Sequence, residues 1–417
     1  NDNIGDSDTD QQQQHQPVQL IFTVTAGRSG TTLLTRLFEL VPVVVAKHEP
    51  KPSFVNVMRL VQNAHTHQYS QTPKQKKNEE VVATATATAT TIATHFLRET
   101  KIPVILQQLE SEQSQNDDQQ LITHYVETSH LFCKGFIEPI RQILLQQQQQ
   151  QPSLSLSSSS LERTRKTTQQ YPLHKTLNLI LLRRHPSLIA RSLLQRNAIP
   201  GRSRWGKKYL LHPNDWNVLG ATTDTNNNGG SSRKNNNDRR LRWISLLKHW
   251  SNYQLCFWYA LEMERRQLQY RKMASQSPTT MNCYTITIEE VTNFDKFCDM
   301  CTYFGIDLPT TTGTVTTTTT TGTTTSARQY NSFREQFEKI ATHIHNPNVK
   351  NPSDQKKNCP SSLLSLPSSQ VLKEEQPQHS FVKEEQEVWE WIQQSVSSET
   401  YSELIDYQLP PLPSSFS

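Results

Sequence analysis

The chain has 417 residues, 34% hydrophobic, 19% charged and 8% aromatic, with a formal net charge of +5. It is too long for one ordinary domain yet too polar to pack throughout, because the runs Gln11–Gln16, Ala83–Thr91, Gln146–Gln151 into Ser153–Ser160, Asn226–Asn237 and Thr310–Thr325, with the stretch Asn346–His379, offer little apolar surface. Setting aside about 150 such residues leaves about 270, the size of one large domain, and excludes a fibrous, collagen-like or compact disulfide-rich protein.

In chain order, Gln19–Thr25 is a β-branched run with the character of a buried parallel strand. It runs into Ala26–Thr32 (AGRSGTT) and then into Leu33, Leu34, Leu37, Phe38 and Val41 at helical spacing. Pro42 ends that helix, and Val43–Ala46 reads as a second strand finishing at His48-Glu49-Pro50 on the same side of the sheet. A helical stretch is expected near Thr94–Glu110, and Leu121–Leu145 carries Tyr125 to His130 followed by an apolar run. Leu177–Leu182 is the clearest strand and leads through Arg183-Arg184-His185-Pro186 into a helix containing Ser192. A basic loop with Trp205, Lys207 and Lys208 follows, able to meet an acidic acceptor or a base ring, then a long helix over about Arg240–Tyr270 whose Trp243, Trp250 and Trp258 read as core. A strand at Asn282–Ile288, a helix Phe294–Phe304 closed by Gly305, and a last helix around Phe381–Val396 complete the set. Alternating strands and helices predict an α/β fold, a three-layer sandwich with a central parallel sheet.

Two segments carry chemistry. Gly27 and Gly30 let backbone N–H groups approach an anion at a helix N-terminus, while Ser29, Thr31 and Thr32 add hydroxyls and Arg28 a fixed charge. A Walker A loop is excluded, since Thr25 stands where its first glycine would be and Thr31 where its lysine would be. Arg184 at a strand end and Ser192 two turns into the next helix form a second anion site at the edge of the same crevice. A nucleotide with phosphates at both ends of its ribose would bridge the two. Cys298 and Cys301 form the one close cysteine pair, without a second pair to make a zinc site, so no metal is expected.

The segment FTVTAGRSGTTLLTRLFE resembles the 5′-phosphosulfate loop of sulfotransferases, and LILLRRHPSLIARSLL is similar to their 3′-phosphate strand and helix, Pro186 and Ser192 keeping the family interval. CYTITIEEVTNFDKFCDMCTYFGI is similar to a late strand and helix of the same family, so the resemblance spans most of Gln19–Leu308. It implies a P-loop NTPase-like sulfotransferase fold, the donor 3′-phosphoadenosine-5′-phosphosulfate, and metal-independent in-line sulfonate transfer to a hydroxyl or amine with a general base. Gly27, Arg28, Ser29, Gly30, Thr31 and Thr32 would hold the 5′-phosphosulfate, and Arg184 with Ser192 the 3′-phosphate. Arg28 stands where the cytosolic enzymes carry lysine, and His185 where an aspartate is usual, a change that bears on how Arg184 is oriented. Two bases are open: Glu49, in a Glu-Pro-x-x-Phe context like that of glycan-modifying members, and His130, in a Thr-x-His-Leu context close to the Thr-His-Leu of the cytosolic enzymes. A P-loop kinase-like phosphotransferase and a catalytically inactive nucleotide-binding relative are the alternatives.

The expected organisation is a disordered segment 1–17, an α/β domain over 18–308 with low-complexity inserts near 68–91, 111–119, 146–170 and 221–239, a mostly disordered insert 309–379, a C-terminal helix over 380–408 and a tail 409–417. The expected partner is a small-molecule or glycan acceptor, and the charge pattern gives no nucleic-acid footprint. Without an apolar stretch of about 20 residues, no membrane span is expected. The absence of an N-x-Ser/Thr acceptor site slightly favours the cytoplasm over the Golgi lumen, provided that no N-terminal anchor is missing.

Overall fold

A computed structural model describes residues 16–70, 78–115, 120–149, 172–213, 215, 218–219, 248–309, 323–342 and 378–407. Five strands, β1 (Val18–Val24), β2 (Val44–Lys47), β3 (His124–Glu127), β4 (Leu173–Arg183) and β5 (Met281–Thr287), form one sheet in the order β2-β3-β1-β4-β5, with every neighbouring pair parallel. Parallel neighbours need crossovers, so all strands end at the same edge, and the loops after β1, β2, β3 and β4 gather there.

Side chains alternate across the sheet as a period of two requires. Leu20, Phe22 and Val24 of β1 with Leu177, Leu179 and Leu181 of β4 face one core, while Ile21 with Ile180 and Leu182 faces the other. The first core packs against helices that include Val55–Ser70, Ile137–Gln149, Pro186–Gln195 and Asn252–Gln276; the second packs against α1 (Thr31–Phe38), Phe294–Tyr303 and Thr323–Thr342. This is the three-layer α/β sandwich that the sequence predicts.

Several expectations about elements change. Instead of a loop, the Thr/Ala repeat lies in the helix Asn78–Phe96, which continues through a π-helical turn, Leu97–Lys101, into Ile102–Gln115. Ala89 and Ala93, one helical turn apart, are buried there because a methyl-only surface permits close approach. The insert 309–379 contains the helix Thr323–Thr342, whose Phe333 and Phe337 are buried against Phe294 and Phe297. The long helix is Asn252–Gln276, started by a capping box at Ser251, and Trp243 lies outside the described residues. Trp250 and Trp258 are core, as expected. The last helix is two, Gln378–Ser395 and Ser398–Asp406, separated by the cap Ser397. Among the described residues no helix is long and apolar enough to cross a membrane.

Phe294–Tyr303 ends in a Schellman arrangement: Ile306 N–H donates to Cys301 O at 2.9 Å and Gly305 N–H to Thr302 O at 3.0 Å, with Gly305 at φ +70°. Cys301 is buried on that helix, and both Cys298 and Cys301 are free thiols.

Candidate functional site: an anion cradle beside a histidine–glutamate dyad

The loop after β1 reverses the chain in four residues, with φ of +75° at Gly27, +57° at Arg28 and +91° at Gly30. A Cβ on Gly30 would stand 2.0 Å from Ile288 Cδ1 and force that side chain to shift, and one on Gly27 would crowd His130 Cγ at 3.2 Å, while the positive φ favours glycine at both positions. Arg28 holds the left-handed form at a cost of about 1–2 kcal/mol. Among the described residues no side chain caps α1, whose N-cap is Gly30, and the first helical amides are left for another acceptor.

Two separated segments meet at this loop. Arg28 Nε donates to Ser192 Oγ at 3.2 Å, and Arg184 Nη1 donates to the Arg28 carbonyl at 2.6 Å. Among the described residues, neither guanidinium has a carboxylate within ion-pairing distance. Both sit below the usual guanidinium value, chiefly through burial; Arg196 adds to the effect at Arg28, and at Arg184 the Arg28 charge does so against the opposing pull of Glu289. Two neighbouring cations beside helix amides free of a side-chain cap could hold a multiply charged anion.

The remaining predicted residues divide. Thr31 opens α1 and Thr32 is exposed, its hydroxyl donating to His48 Nε2 at 3.3 Å. Ser29 differs from expectation: its hydroxyl is buried and hydrogen-bonded to Thr25 and, at 3.1 Å, to the Gly27 carbonyl, so it shapes the loop and leaves only its backbone N–H for a ligand. His185 caps the helix Pro186–Gln195, its Nδ1 accepting from Ser187 N–H at 3.3 Å, the task an aspartate performs elsewhere. Burial, then Arg191, lowers its pKa to about 4 and keeps the ring neutral for that task. Arg183 points away into the core, pairing with Glu264 at 2.9 Å beneath Tyr407.

Glu49 and His130, left as alternatives by the sequence, touch each other. His130 Nδ1–H donates to Glu49 Oε1, which fixes the tautomer, and the buried Nε2 has no hydrogen-bond partner among the described residues. His130 titrates below the ordinary histidine value because burial, then the Lys134 charge, outweighs the bond to Glu49. Burial alone would raise the Glu49 carboxyl, but the hydrogen bond and the charges of His130, His48 and Lys134 bring it below the usual carboxylate range. Glu49 takes φ +46° immediately before Pro50, a conformation that its neighbours must impose.

Trp205 lies on the His130 ring with centroids 6.1 Å apart and planes 11° from parallel, and it contacts Tyr209 at 4.7 Å. The segment expected to be a loop is the short helix Arg204–Tyr209, capped by Ser203. Its position places Trp205 at the dyad.

Two lysines went unpredicted. Lys134, fully buried, donates from Nζ to Tyr209 O at 2.5 Å and sits 5.3 Å from the Tyr259 ring, and burial lowers it to about 7. Its signal was a single cation inside the apolar run Leu131–Ile137. Lys101 forms a buried pair with Glu127 at 2.9 Å.

No family model matches the chain, and no curated protein matches it. The structure aligns with the sulfotransferase domain of the Synechococcus PCC 7002 olefin synthase over 81% of this chain and 96% of that one, at 12% identity and a TM-score of 0.28. That superposition is too loose to bear on chemistry.

Proposed function

We propose that the protein is a sulfotransferase that takes sulfonate from 3′-phosphoadenosine-5′-phosphosulfate and passes it to a hydroxyl or amine of a small-molecule or glycan acceptor. The observation that carries this reading is the convergence, beside a histidine–glutamate dyad, of a glycine-turn anion cradle and an Arg184/Ser192 pair from 156–164 residues away. The residues fit such a donor: uncapped amides of α1, Thr31, Thr32 and Arg28 for the 5′-phosphosulfate, and Arg184 with Ser192 for the 3′-phosphate. When bound, the donor supplies an electrophilic sulfonate on a phosphate leaving group.

The chain's own groups divide the remaining work. His130 Nε2, with Nδ1 committed to Glu49, is the lone pair available to take the acceptor proton. Glu49 holds the ring in that tautomer and offsets the charge the imidazole acquires, so it acts as the partner of the base. Arg28 and the N-terminal amides of α1 offset negative charge appearing on the departing phosphate.

Transfer of labelled sulfonate to a panel of glycan, phenol, sterol and peptide acceptors tests the reading. Product should form from the phosphosulfate donor and not from ATP, and His130→Asn should slow its formation about 10²–10⁴-fold. Product from ATP, or unchanged transfer in His130→Asn, contradicts it.

A further inference from the structure

The buried pair behind the dyad has no part in the chemistry above. Lys101 and Glu127 are fully buried and 2.9 Å apart. Lys101 Nζ also lies 3.3 Å from the Pro50 carbonyl and 3.4 Å from the Pro52 carbonyl, the two carbonyls flanking Lys51 just after Glu49. Its remaining face rests on the Phe54 ring at 4.7 Å. The chain from Glu49 to Phe54 is therefore wrapped around one ammonium group.

A buried ion pair is a weak source of stability, because desolvating both charges offsets their attraction. What it does fix is geometry. Lys101 closes the π-helical turn Leu97–Lys101, a rare local widening frequent at functional sites, while Glu127 is the last residue of β3, three before His130. One end of the pair thus holds the strand that leads to His130, and the other holds the segment that carries Glu49 in its left-handed conformation.

We infer that Lys101, anchored by Glu127, is a positioning residue that holds Glu49 against His130 and thereby sets the tautomer of the base. The inference rests on the dyad reading above and adds residues that touch neither donor nor acceptor. Tyr125, whose hydroxyl donates to Glu127 Oε2 at 3.2 Å, steadies the anchor from β3.

The test reads His130 directly and does not depend on turnover. In the full chain labelled with 13C,15N-histidine, the His130 signal is assigned by its loss in His130→Asn, and its tautomer and titration midpoint are followed by NMR. Glu49→Gln sets the benchmark: the Nδ1–H population drops and the midpoint falls, since Glu49 is the group that raises it. Lys101→Met should reproduce both changes, Glu127→Gln should reproduce them in part, and Lys101→Met/Glu49→Gln should be no worse than Glu49→Gln alone. Where transfer is measurable, kcat should fall about 10²-fold in Lys101→Met with the donor KM unchanged. A His130 signal unchanged in Lys101→Met, or additive effects in the double variant, overturns the inference. If Lys101→Met does not fold, the Glu127→Gln spectrum decides alone, and an unchanged His130 there is equally contrary. Failure of the sulfotransferase reading shows separately, as absence of donor binding by the wild type.

Discussion

At His130 the two ring nitrogens have opposite surroundings, one bonded to Glu49 and the other buried without a hydrogen-bond partner among the described residues. The proposed base works deprotonated, and His130 titrates below 6.5, so the acid limb of the kcat profile should lie below pH 6.5. Removing Glu49 takes away an interaction that raises the histidine, so Glu49→Gln should move that limb to lower pH and reduce kcat, while His130→Asn should cost about 10²–10⁴-fold. A limb that moves upward in Glu49→Gln contradicts the dyad. His185 gives a second pH signature. Its folded value of about 4 lies below the unfolded 6.5, so in that window the unfolded chain binds more protons and stability rises with pH. The contribution is fully present above pH 6.5 and is lost as pH falls through about 4. His185→Asn keeps a cap and removes the titration, so wild-type and variant stabilities in urea should diverge across that window; parallel curves would show that the ring is not a neutral cap.

Among the elements, those that came through from the sequence are strands with unbroken apolar runs and helices with clear punctuation: β1 into the glycine turn, β4 into His185-Pro186, and the helix closed by Gly305. The helices that were missed are masked by their neighbours. In the Thr/Ala repeat an alternation of small residues hides the one-turn spacing of Ala89 and Ala93, and the Thr run from Thr310 obscures the helical stripe of Tyr330, Phe333, Phe337 and Ala341. The latter helix covers α1, the helix that presents the cradle. Phe337, fully buried among Phe294 and Phe297, should cost about 3–5 kcal/mol on truncation to alanine, read as a lowered urea midpoint. A change within about 0.5 kcal/mol, the range of an ordinary surface substitution, would mean that the helix does not pack there.

Across the whole molecule, the site depends on strand order that local sequence does not encode. Glu49 follows β2 and His130 follows β3, and they meet because those strands are neighbours, although 81 residues separate them. The same holds for Arg28 and Ser192, brought together because β1 and β4 are paired. Spacing alone could name each residue and its type but not its partner, which is why Glu49 and His130 read as competitors and Lys101, Lys134 and Glu127 stayed silent. Under the proposed function, this edge of the sheet is a two-phosphate nucleotide site. Titration calorimetry of the full chain with 3′,5′-bisphosphoadenosine tests it most directly. The wild type should bind, and Arg184→Ala should weaken binding about 10–100-fold, the loss of a charged hydrogen bond, with the difference shrinking as salt is added. No binding by the wild type, or equal affinity in Arg184→Ala, would rule out such a site.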